Sequence, residues 1–123
     1  MMKYLQDFLV ILETGEVIFS KITNIKVEEQ IFGAMISALR TFYSQTLEGQ
    51  ICTIKGTQYI INIFSKEHIQ FIGITPRHIG RKQSLQELKS LAHKFLKKYS
   101  KSVKKNGLIN FHIYEDFNYD LLY

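Results

Sequence analysis

Four histidines (His68, His78, His93 and His112) and one cysteine (Cys52) are the soft metal-ligand types in this chain of 123 residues. A zinc site needs such residues at a spacing that lets one helical turn or one tight loop present a pair to the ion. None of the five has a partner three or four positions away, and no pair falls at zinc-finger spacing. They therefore read as surface and edge histidines, and no metal is assigned. Cys52 lies mid-strand in the pattern, where a thiol is usually a small buried hydrophobe and not a nucleophile. A phosphate-cradling loop needs Gly-x-x-x-x-Gly-Lys-Ser/Thr, so that backbone amides and a lysine converge on the phosphates. Gly73 to Gly80 has two glycines and several basic residues without that spacing. No catalytic residue and no cofactor is assigned, and the expectation is a protein that is not an enzyme.

The strongest polar signal is one of charge. Residues 79 to 106 hold nine basic residues against a single acid, Glu87, a balance of +8 in a chain of net charge +5. The rest of the chain is therefore at −3, and the basic character belongs to one helix. Lys94, Lys97, Lys98, Lys101, Lys104 and Lys105 share the side opposite that helix's apolar stripe. One reading is a solvated face, with lysines near the helix C-terminus favoured by the dipole. The other is contact with an anionic membrane surface, an acidic protein or nucleic acid. Nucleic-acid binding usually adds arginine forks and exposed aromatics. This face has no arginine, which makes that partner unlikely.

The elements that must position these residues can be read in order. Residues 5 to 12 and 17 to 22 alternate or run apolar as strands, joined by a turn at Glu13-Thr14-Gly15-Glu16. A helix runs from about 26 to 46, with Thr23 or Asn24 as its cap and Glu28 and Glu29 in its first turn. Its apolar stripe is Val27, Ile31, Met35, Ala38, Leu39 and Phe42, widened by Phe32, Ile36 and Tyr43. Three strands follow, at 50 to 55, 57 to 65 and 68 to 74, an antiparallel meander. After a polar loop at 75 to 83, Ser84-Leu-Gln-Glu87 reads as a capping box opening a helix over 85 to 105. Leu85, Leu88, Ala92, Phe95, Tyr99 and Val103 lie on one face of it, and Asn106-Gly107 stops it. The tail beyond reads as a short helix, although Leu108 to Tyr114 could equally be extended.

Strands apolar on both faces need covering on both sides. The expected fold class is α+β: a five-stranded antiparallel sheet of order 2-1-5-4-3, with one helix on one face and two on the other. The surplus apolar residues Phe32, Ile36 and Tyr43, with Ile51 and Thr53 on the neighbouring edge strand, are the candidate partner-binding surface. The chain is one domain by size, has no internal disulfide, and is expected to be cytoplasmic.

This pattern resembles the longin domain, in the wider group that includes roadblock domains. The likeness rests on the opening Phe8-Leu-Val-Ile-Leu-Glu-Thr-Gly-Glu-Val-Ile-Phe19, the helix from Glu29 to Phe42, and the strands around Gly56. Roadblock domains usually start with a helix, whereas this chain starts with a strand, which places it nearer to longin. The resemblance implies a non-enzymatic adaptor that engages a small GTPase or vesicle-trafficking machinery. It implies association as a homodimer or with another longin or roadblock domain. Many archaeal relatives are stand-alone domains of this size. A rival of another class is a small-ligand sensor, which would hold a deep apolar pocket between sheet and helix.

Overall fold

Every backbone amide and carbonyl in a strand needs a partner, and two apolar faces need two covering layers. One architecture meets both demands here. The computed structural model describes residues 2–23, 28–46, 52–105 and 117, with backbone alone at 46 and 100–105. The order is β1 (Asp7–Leu12), β2 (Val17–Lys21), α1 (Glu29–Thr46), β3 (Thr53–Lys55), β4 (Tyr59–Lys66), β5 (Ile69–Pro76) and α2 (Arg81–Lys105). The strands form one antiparallel sheet, β2-β1-β5-β4-β3, as the element order led us to expect. β1 and β5 lie at its interior and pair along their length, from Asp7 opposite Ile74 to Leu12 opposite Ile69.

The turns follow from local chemistry. Gly15 sits at φ +99°, a conformation open to glycine and costly for other residues. Glu67 and His68 both have positive φ and form the two-residue connection between Lys66 and Ile69. Positive φ at both central positions matches the twist of the flanking strands.

Alternation along the strands divides the core in two. Leu9, Ile11, Ile63, Ile72 and Ile74 face α1 and pack with Phe32 and Ile36. Phe8, Val10, Ile69 and Phe71 face α2 and pack with Leu88, Leu91, Ala92 and Phe95. Phe117 belongs to this second layer, its ring 5.3 Å from that of Phe19 and 5.2 Å from that of Phe95. The remainder of the expected terminal helix lies outside the described residues.

Three local assignments need correction. First, α2 begins at Arg81, ahead of the expected capping box. Ser84 is already inside the first turn, its amide donating to the Gly80 carbonyl at 3.2 Å. Glu87 does not reach back to Ser84. Its carboxylate accepts from the backbone amides of Lys3, Tyr4 and Leu5 at 2.7 to 3.1 Å, holding the chain's entry into β1. Second, of the two expected caps Thr23 does not cap α1, since its amide and hydroxyl donate to the buried Asp7 carboxylate, and Asn24 lies outside the described residues. Glu28 caps α1 instead, accepting from the amides of Gln30 and Ile31, both at 3.1 Å. Third, Cys52 is exposed ahead of β3, not buried within a strand. Its carbonyl still accepts from the Ile63 amide of β4 at 2.9 Å, but the residue lies at the open start of the strand and is exposed.

Candidate interaction surfaces

The described residues hold no cluster of three or more His, Cys, Asp or Glu that could bind a metal ion. The described histidines fall in separate places. His68 pairs with Glu13 at 3.3 Å on the surface, His93 sits edge-on to Phe64, and His78 lies exposed in the β5–α2 connection. His112 lies outside the described residues. What the structure offers is surfaces.

The first is on α1, and it inverts the face read from the sequence. Phe32 and Ile36, expected to face a partner, are 5% and 2% exposed and lie under the sheet. Ile31, Met35 and Phe42, expected to face the sheet, are 61%, 58% and 60% exposed, with Leu39 beside them at 42%. The physical cause lies in three contacts that fix the helix's rotation. Gly33 rests on the β1–β2 turn so closely that an added Cβ would stand 2.5 Å from the Gly15 carbonyl oxygen and 2.6 Å from Val17. The Gln30 amide clasps Val17, accepting from its N–H at 3.0 Å and donating to its carbonyl at 3.1 Å. The Ser37 hydroxyl donates to the Glu13 carbonyl at 2.7 Å. These contacts turn the Phe32 and Ile36 side inward and leave the other half of the apolar arc outside. Tyr43 is half-buried. Gly33 was the available signal, since a small residue marks where a helix can approach closely.

β3 ends the sheet beyond β4. A closed run of hydrogen bonds holds it. Arg81 Nε donates to Thr53 Oγ1, and Thr53 Oγ1 donates to Asn62 Oδ1, each at 3.0 Å. Asn62 Nδ2 donates to Ser84 Oγ at 3.0 Å, and Ser84 Oγ returns to the Arg81 carbonyl at 3.1 Å. Arg77 adds a bond of 2.8 Å to the Gly56 carbonyl at the end of the strand. The Thr53 side chain is thus turned toward α2 and engaged, not offered to a partner. Ile51 lies outside the described residues. On α1, burial holds the pKa of half-buried Arg40 below the ordinary arginine value, with the Glu13 carboxylate acting in the opposite sense.

The second surface is the outer side of α2, on the opposite face of the sheet. Lys89, Lys94, Lys97 and Lys98 are exposed there, the last with its ammonium 5.3 Å from the Tyr99 ring. Lys101, Lys104 and Lys105 continue the helix, where only the backbone is described.

Comparison with known proteins places this geometry. No family model matches the sequence, and no curated protein matches it. Solved structures do. Myxococcus xanthus MglB superimposes with a TM-score of 0.62 over 79% of this chain and 85% of that one, at 9% identity. The fold is of the roadblock/longin type. The gliding protein MglB from Thermus thermophilus gives 0.56 over 70% and 71% of the two chains at 10% identity. A Roadblock/LC7 domain from Streptomyces avermitilis gives 0.54 over 76% and 88% at 9% identity. The sequence reading leaned to the longin side of this group. One of these neighbours is itself a Roadblock/LC7 domain, so an opening strand does not argue against the roadblock side of the group. At such identities the roadblock/longin likeness is one of fold.

Proposed function

We propose that this chain is a non-enzymatic adaptor of the roadblock/longin type. It pairs through α1 and β3 with a second copy or with another domain of that fold, and the pair engages a small GTPase. The observation that carries this reading is the exposed row Ile31, Met35, Leu39 and Phe42 on a helix whose other half already fills the core. Large apolar side chains in one contiguous row are unfavourable in water and mark a contact surface. The terminal strand β3, held at its two ends by hydrogen bonds from Arg77 and Arg81, supplies backbone for pairing beside it. A solved MglB described with a tetrameric arrangement supports association in proteins of this shape. The GTPase as partner is what the longin resemblance implies.

The test is sedimentation over a concentration series, then capture of purified small GTPases loaded with GDP or a GTP analogue. The wild-type chain is expected to associate and to retain a GTPase. The double variant Met35→Lys/Phe42→Lys is expected to stay monomeric while keeping its circular dichroism. A wild-type chain that stays monomeric and captures no GTPase in either state would sink the reading.

A further inference from the structure

A helix lysine normally finds a carboxylate one turn away, and such i, i+4 pairs neutralise a solvated face. On α2 this compensation is missing. Its single acid, Glu87, is drawn off the lysine face by three backbone amides, those of Lys3, Tyr4 and Leu5. Among the described residues no carboxylate lies within ion-pair distance of Lys89, Lys94 or Lys97. Lys89 instead stands over the Phe64 ring at 5.7 Å. The charge extends past the helix, because Lys66 at the end of β4 donates to His93 Nε2 at 3.4 Å. Gln86, Lys89, Ser90, His93, Lys94 and Lys97 line a shallow depression open to solvent.

We propose that the outer face of α2 docks onto an anionic lipid bilayer. Three features select a bilayer among polyanions. The face is long: 25 residues of helix extend about 37 Å. Its cations are lysines, which act as point charges and need no fixed register with mobile headgroups. It shows no large exposed apolar side chain: the described ones lie on α1, with Tyr59 on β4. Single-stranded nucleic acid would need exposed aromatic rings to stack on. On this face Phe64 is half-buried and covered by Lys89. The contact is therefore peripheral and electrostatic, with no inserted side chain. It is independent of the adaptor reading, since α1 lies on the other side of the sheet.

The experiment is co-sedimentation of the full chain with vesicles of phosphatidylcholine containing one-third phosphatidylserine. Phosphatidylcholine alone and a single-stranded RNA oligomer are the comparators. Binding is expected to the anionic vesicles only, and to fade as salt is raised through about 0.5 M, where the screening length falls well below 8 Å. Each lysine near such a surface contributes about fivefold in affinity. Lys94→Gln/Lys97→Gln is therefore expected to lose about 25-fold. Lys21→Glu removes the same two units of charge on β2, outside both surfaces, and should lose less than about threefold. Equal losses from the two variants, equal binding to neutral vesicles, tighter binding to the RNA, or no vesicle binding would each overturn the proposal.

Discussion

Gly33 shows how one residue sets the rotation of a helix. In an exposed helix Gly→Ala stabilises by about 1 kcal/mol. Here Gly33→Ala is expected to do the reverse, because the new methyl group meets the backbone of Gly15, which cannot swing aside. Urea unfolding should show a lower midpoint, and Met35 and Phe42 should become less accessible as the helix turns. Gly73→Ala meets mainly the flexible end of Leu5 and should cost less. Asn62 is the second sensitive position. Asn62→Ala leaves Thr53 and Ser84 without their partner in a buried setting, a loss of about 2 kcal/mol by the same measurement. Neither effect was legible from spacing. Glu87 illustrates why: a Ser-x-x-Glu pattern reads as a local cap, yet its carboxylate serves amides 82 to 84 residues away. Local motifs specify what a side chain can accept, and tertiary structure selects the donor.

At the scale of elements, legibility followed patterning. β1 announced itself as a strand because its apolar run from Phe8 to Leu12 is unbroken, and both its faces are buried. β3 was read too long because three paired residues leave little pattern. The wrong face of α1 has a definite cause. Its apolar arc runs from Ile31 through Phe42 and Leu39 to Phe32 and Ile36, wider than the sheet can cover. Periodicity locates the arc but not which half is covered. This gives a sharp contrast between neighbouring substitutions. Ile36→Ala should cost roughly 2 to 5 kcal/mol, as buried truncations do, and should be visible in urea unfolding. Met35→Ala, one residue away, should leave the unfolding midpoint within about 0.5 kcal/mol of wild type and instead weaken association. If both behaved alike, the assignment of faces would be wrong.

The whole molecule is a sheet between two unlike helices, one presenting an apolar row and the other a lysine face. Because the layers are on opposite sides of the sheet, a partner on α1 and a bilayer under α2 do not compete. Vesicle-bound protein should retain its association through α1, measurable as cross-linking between copies with and without anionic vesicles. Hydrogen exchange is expected to be slowest in β1 and β5, which are flanked by strands on both sides, and faster in β3. The sheet order was legible because each turn is short. The wide gap between β1 and β5 in sequence follows from the order.

That gap bears on how the chain comes into being. β1 emerges from the ribosome before β5, yet its inner edge belongs to Ile69–Ile74, and the residues before it wait for Glu87. Until β5 has been made, the β1–β2 hairpin has one edge of apolar strand with nothing beside it. Isolated hairpins are marginal in water. Nascent chains halted before β5 are therefore expected to be protease-sensitive and prone to pair with one another, and chains halted after α2 to be resistant. The sheet closes only when β5 pairs with β1, and α2 then secures the residues that lead into β1.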